Sequence, residues 1–264
     1  MRARRRQVLA RLARRLRRAP DDVNVILPLD EVLAALGQRG ERRLGLQTIP
    51  LDAIVGTVDS SRDFDRRFRP TNTRVRERWE RVALAQRRGE PMPPIDVYRV
   101  GGMYFVSDGH HRVSIALATG AKTIEAYVTE IYTQVPPDGI QGRRELLFKS
   151  YERIFRDRVP LAPAAMAKIT VTDPWSYAQL GEAVEAWGFR RMQDTGSFSD
   201  RAETARHWYT EEYQPVVLML RAADLIGTRT EAEAYLRVAS QRYRLIMTHE
   251  WNDEIVERLR GKVK

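Results

Sequence analysis

Five consecutive residues, Asp108-Gly109-His110-His111-Arg112, gather more chemistry than any other stretch of this chain. They follow an apolar run and open a helical pattern, so they sit on a strand, a tight turn and a helix N-terminus. That geometry holds anions, because unpaired backbone N–H groups and the helix dipole point at the turn. Gly109 has no Cβ and lets a phosphate approach the backbone. Arg112, in the first helical turn, can grip phosphate oxygens with two parallel bonds. Asp108 can cap the helix by accepting from its amides, or hold Mg2+ through water. His110 and His111 point about 100° apart on a helix. Both can donate to phosphate, but they do not converge on one metal. The plain alternative is a simple Asp-Gly turn with two surface histidines.

Other candidates are more scattered. Asp52, Asp59, Asp63 and Asp65 follow the first long strand and could serve as general bases if a phosphoryl group is transferred. Asp63 stands out because Arg62 beside it could orient the same phosphate; otherwise these acids balance Arg62, Arg66 and Arg67. With Asp108, Asp63 is the catalytic candidate. His207 and His249 adjoin Trp208 and Trp251 and read as structural. Trp208, Tyr209 and Tyr213 read as helix core rather than a base-stacking platform. No cysteine is present, which excludes disulfides, thiolate metal sites and thiol nucleophiles.

The elements that must position the motif are legible around it. Pro91-Met92-Pro93-Pro94 forces a rigid, non-helical approach. Ile95–Val100 and Met103–Ser107 form a hairpin around Gly101-Gly102. A helix runs from about His110 to Thr119, and Ile124–Val128 is a further strand. Upstream, the spacing predicts a helix over 28–36, a strand over 46–49, a loop over 56–72 and a helix over 73–88. Pro136-Pro137-Asp138-Gly139 marks a linker. Beyond it, helices are expected over 143–158, 175–187, 201–225 (bent at Pro215) and from Glu231 past Ile246. Thr230 and Glu233 form a capping box for the last one, and a short strand is expected over 166–171. The expected organisation is a basic arm at 1–24, an α+β domain at 25–132 and a mainly α-helical region at 140–264.

The net charge of +10 invites a nucleic-acid reading, but its placement matters. Residues 1–19 hold nine Arg and no acid; without them 36 basic residues face 35 acidic ones. Basicity is therefore a property of the arm, which fits non-specific, salt-sensitive contact with DNA. The longest aliphatic run, Val216–Leu220, is far short of the roughly 20 residues that span a bilayer. No apolar segment follows the basic start, so neither a membrane span nor a secretory signal is expected, and the expected location is cytoplasmic.

The motif and its surroundings resemble the ParB/sulfiredoxin superfamily. The resemblance spans about residues 46–131. It rests on Asp108-Gly109-His110-His111-Arg112, on the preceding Pro94-Ile95-Asp96-Val97-Tyr98 hairpin strand, and on Ile49-Pro50-Leu51-Asp52-Ala53-Ile54 as an opening strand. It implies an α+β fold, a ParB/sulfiredoxin-like mixed sheet with flanking helices. It also implies nucleotide contacts at Arg62, Asp108, Gly109, His110, His111 and Arg112. Gly109 and Arg112 match phosphate-holding positions, and His111 matches the sulfiredoxin histidine. His110 stands where sulfiredoxin has its catalytic cysteine, so sulfiredoxin chemistry is excluded. Arg62-Asp63-Phe64 echoes the ParB arginine box, whereas the second ParB nucleotide motif, Glu-Asn-x-x-Arg, is absent. The resemblance implies a bacterial ParB-like nucleotide- or phosphate-binding regulatory protein. The nucleotide would be ATP or CTP, with Mg2+ as a companion, and the arm would contact nucleic acid. The alternative is a small-molecule kinase or nucleotide hydrolase using the same pocket, related to free serine kinases that carry Asp-Gly-His.

Overall fold

The computed structural model describes residues 26–58, 64–65, 68–71, 84 and 92–246, with side chains as far as 240. The chain divides into two units, 1–147 and 148–264. The basic arm and, apart from Leu84, the helix expected over 73–88 lie outside the described residues.

In chain order the first unit comprises β1 (Leu27–Pro28), α1 (Leu29–Leu36), β2 (Gln38–Pro50), a 3-10 turn (Leu51–Ala53) and β3 (Ile54–Thr57). There follow β4 (Ile95–Val100), β5 (Met103–Asp108), α2 (His110–Ala118) and β6 (Thr123–Thr133). The strands form one mixed sheet in the order β1-β3-β5-β4-β6-β2. β4 and β5 are the expected hairpin, with Val100 opposite Met103 and Tyr98 opposite Phe105. β3 and β5 run parallel, so their C-terminal ends, Thr57 and Asp108, emerge at the same edge.

Side chains alternate across the strands and build a core on each face. Ile95, Val97, Tyr104, Val106, Ala126 and Val128 pack with Val113 of α2. Val100, Phe105 and Ile131 face the other way and pack with Leu29, Val32 and Leu36 of α1. Ile95 and Val113 are completely buried; truncating either to alanine would cost about 2–5 kcal/mol. Gly56 lets β3 sit between its neighbours, since a Cβ there would lie 2.3 Å from the Leu27 carbonyl and from the Phe105 ring.

Two expectations for this unit change. The strand expected over 46–49 extends from Gln38 to Pro50 and pairs with β6 along its length. Its first half, Gln-Arg-Gly-Glu-Arg-Arg, is an exposed edge strand with no buried side chain, so it carries no apolar alternation to betray it. β6 likewise runs to Thr133, beyond the apolar segment.

The second unit is helical: the end of α3 (Arg143–Arg158), α4 (Pro163–Met166), α5 (Trp175–Thr195), α6 (Arg201–His207), α7 (Gln214–Ala222) and α8 (Glu231–Ile246). The strand expected over 166–171 is instead the end of α4 followed by irregular chain, and Ile169 and Val171 bury into the helical core. The long helix expected over 201–225 is divided by a π-helical segment, Trp208–Tyr213, directly before Pro215. Proline supplies no N–H and crowds the preceding turn, so the ladder widens there. This segment buries Trp208, Tyr209, Glu212 and Tyr213 together. The aromatic cluster is core, with Trp208 Nε1 donating to Tyr235 Oη at 3.1 Å. The Thr230–Glu233 capping box forms as expected: Glu233 N donates to Thr230 Oγ1 at 3.2 Å and Thr230 N to Glu233 Oε2 at 3.1 Å. Among the described residues no helix is long and apolar enough to cross a membrane.

Candidate phosphate-binding site

Gly109 is the N-cap of α2 and adopts φ 102°, ψ 19°. A Cβ at this position would lie 2.4 Å from Ile95 Cγ2 and 2.9 Å from Ile95 Cβ. The backbone of the turn is therefore pressed onto β4, in a conformation that favours glycine. The first helical bond runs from Val113 N to Gly109 O at 3.0 Å. Being a glycine, this N-cap supplies no side-chain cap of its own. This corrects the expectation for Asp108, whose carboxylate accepts instead from Arg112 Nη2. The N-cap falls one residue later, on Gly109, while Asp108 ends β5 opposite Asp96.

Arg112 closes over the turn. Its Nη1 donates to the carbonyls of Pro93 at 2.7 Å and Pro94 at 2.5 Å, and its Nη2 to Asp108. Three of the five guanidinium hydrogens are thus engaged, and the side chain is 16% exposed against 69% for Asp108. The rigid proline approach and the helix start are fastened together by this one side chain. Nε and one Nη2 hydrogen are left for a ligand. Pairing with Asp108 also offsets the positive charge at the turn and takes up one oxygen, Oδ2, of that carboxylate.

His110 is fixed by Thr57, at the end of β3. Thr57 is 1% exposed, and its hydroxyl donates to the Val106 carbonyl at 3.1 Å. That uses its single proton, so at 2.5 Å it accepts from His110 Nε2. The neutral ring therefore carries its hydrogen on Nε2, and protonation would add a second donor at Nδ1 beside the helix N-terminus. Phe64 stacks on His110 at 5.7 Å and meets His111 edge-on at 5.3 Å; Phe68 lies 6.3 Å from His110.

The segment carrying these rings is held by Asp65. Arg69 N donates to Asp65 Oδ1 at 3.0 Å and Arg69 Nε to Oδ2 at 2.8 Å. Phe68 takes φ 52°, unusual for an aromatic residue, yet is 1% exposed. Its burial in the sheet core sustains the strain. Asp65 is thereby committed to the loop, and Asp52 is exposed in the 3-10 turn. Arg62, Asp63 and Asp59 lie outside the described residues. In the second unit His207 Nδ1 lies 2.6 Å from Glu211 Oε1, and His249 lies outside the described residues.

The fold thus brings Asp108, Gly109, His110, His111 and Arg112 into one turn and adds Phe64, which the sequence offered only within Arg62-Asp63-Phe64, and Thr57 and Phe68, which sequence reasoning missed. Thr57 and His110 are 53 residues apart, and no local pattern links them. The pairing of Phe64 with Phe68 was open to discovery as two aromatics in an otherwise polar loop.

No protein-family model matches the chain, and no curated protein matches it. Among solved structures it is similar to sulfiredoxin from Arabidopsis thaliana, at 23% identity over 31% of this chain and 82% of that one, with a TM-score of 0.25. It is also similar to the C-terminally truncated chromosome-partitioning protein ParB from Caulobacter crescentus complexed with CTP-gamma-S. There the identity is 12% over 83% of this chain and 99% of that one, with a TM-score of 0.25. A Pnob8-like ParB-N domain gives 12% identity over 86% and 100%, with a TM-score of 0.23. These are weak likenesses. What the β5–α2 turn can bind is set by its own donors and charges.

Proposed function

We propose that this protein is a regulatory nucleotide- or phosphate-binding protein of the ParB-like type, with its site at the β5–α2 turn. The observation that carries the reading is the N-terminus of α2, which starts at a left-handed glycine with no side chain of its own to cap it. Backbone amides and the helix dipole favour an anion there. The two remaining guanidinium hydrogens of Arg112 add side-chain donors. The Arg-rich residues 1–19 supply non-specific contact to DNA. Turnover as a small-molecule kinase or nucleotide hydrolase needs a base at this turn, and Asp108 is the exposed carboxylate standing there.

Calorimetry with ATP, CTP, GTP and inorganic phosphate, with and without Mg2+, tests the site. Arg112→Ala should weaken binding by about 1.5–3 kcal/mol, the loss of a charged donor. Asp108→Asn removes a competing anion and releases the guanidinium, so it should tighten binding of metal-free phosphate. If Mg2+ bridges the nucleotide to the protein, the same variant weakens only the Mg2+ complexes. Absence of binding by every ligand, or affinities unchanged in both variants, overturns the assignment.

A further inference from the structure

The sheet face that carries α1 holds a second concavity, away from α2. α1 packs on Val100, Phe105 and Ile131. Beyond it, Arg43, Asp96, Tyr98, Ser107, Tyr127 and Thr129 line a depression of about 450 Å3. The strand register lays them out in two rows. Arg43, Thr129 and Tyr98 are neighbours across β2, β6 and β4; Leu46, Tyr127 and Asp96 form the next row. With strands about 4.8 Å apart and same-face residues about 6.8 Å apart along a strand, Arg43 and Asp96 stand roughly 12 Å apart at Cα. They occupy opposite corners of the patch.

None of these six side chains makes a hydrogen bond, ion pair or ring contact with another described residue. A cation, an anion and four hydroxyls therefore face one concavity without satisfying one another. Tyr127 and Leu46 are half-exposed and add flat apolar area between the charges.

We propose that this depression binds a short zwitterionic, peptide-like molecule, its carboxylate on Arg43 and its ammonium on Asp96. A guanidinium matches a carboxylate with two parallel bonds. A wholly anionic ligand would meet Asp96, and a wholly cationic one would meet Arg43. Three extended residues span about 10 Å, which comes close to the corner-to-corner distance when both side chains stand upright from the sheet. The middle of the molecule lies over Tyr98 and Tyr127, and the Thr129 and Ser107 hydroxyls face its amides. This site does not depend on the phosphate reading of the β5–α2 turn.

The test is a titration of the full chain, followed by NMR, with triglycine, N-acetyl-triglycine, triglycinamide and a mononucleotide. Triglycine should bind saturably at about 1 mM or tighter, and blocking either end should weaken it about tenfold, the scale of a charge-assisted bond. Arg43→Gln should erase the difference between triglycine and triglycinamide, and Asp96→Asn the difference between triglycine and its N-acetyl form. Both residues are exposed, so an unchanged urea midpoint serves as the folding control. Lack of saturable triglycine binding, or binding indifferent to both variants, overturns the proposal. So does a mononucleotide that occupies the face when triglycine does not.

Discussion

Replacing Gly109 by alanine would place a methyl group 2.4 Å from Ile95 Cγ2, on a residue whose φ is 102°. Two costs add. Holding a residue with a Cβ in the left-handed region costs about 1–2 kcal/mol. Forcing a methyl into a packed core costs about 1–3 kcal/mol, and here the obstacle is Ile95, fully buried in the central strand β4. The expected loss is therefore about 2–5 kcal/mol, a large share of the roughly 5–15 kcal/mol that holds a typical domain together. Urea denaturation measures it, provided the slope of the transition is unchanged between variants. A double-mutant cycle separates the two costs. Ile95→Ala removes Cγ2, so Gly109→Ala should be less damaging in that background by about 1 kcal/mol or more. If Gly109→Ala shifts stability by less than about 0.5 kcal/mol, within ordinary surface variation, the turn does not need glycine and the close packing on β4 is refuted. Full additivity with Ile95→Ala would leave only the backbone cost.

Other expectations follow from single contacts. Thr57→Val should cost about 1 kcal/mol by removing the acceptor of His110; nitrogen NMR of the wild type should show the Nε2–H tautomer, and an Nδ1–H ring would refute the pairing. Burial pushes the Glu233 carboxyl up, but hydrogen bonds from Thr172, Thr230 and Asp173 outweigh it and hold the group at about 2, below its ordinary 4.5. Because the folded value is the lower one, Glu233 stabilises the fold above about 4.5, and that contribution is lost as pH falls towards about 2. The stability gap between wild type and Glu233→Gln should close over that interval; a gap independent of pH would refute the linkage. Deleting residues 1–19 should abolish mobility shifts of random DNA at low salt, and equal binding by the truncated chain would place the contact elsewhere.

The sequence by itself determined the hairpin over Ile95–Asp108, the helix that follows Gly109 and the Thr230–Glu233 cap. Each depends on neighbours within a few residues: alternation of apolar side chains, a two-glycine turn, a left-handed glycine, a cap three residues from its partner. It also determined that Asp108 to Arg112 share one turn, because they are consecutive. Tertiary structure decided what those residues do there. Arg112 turns back to the carbonyls of Pro93 and Pro94 because β4 and β5 are antiparallel neighbours, which brings the chain before β4 beside the start of α2. His110 meets Thr57 because β3 runs parallel to β5 and ends at the same edge, a pairing set by strand order. The exposed half of β2 was invisible for the opposite reason. Its residues bury nothing, and among the described strands β6 holds them in the sheet through backbone hydrogen bonds that every sequence can make.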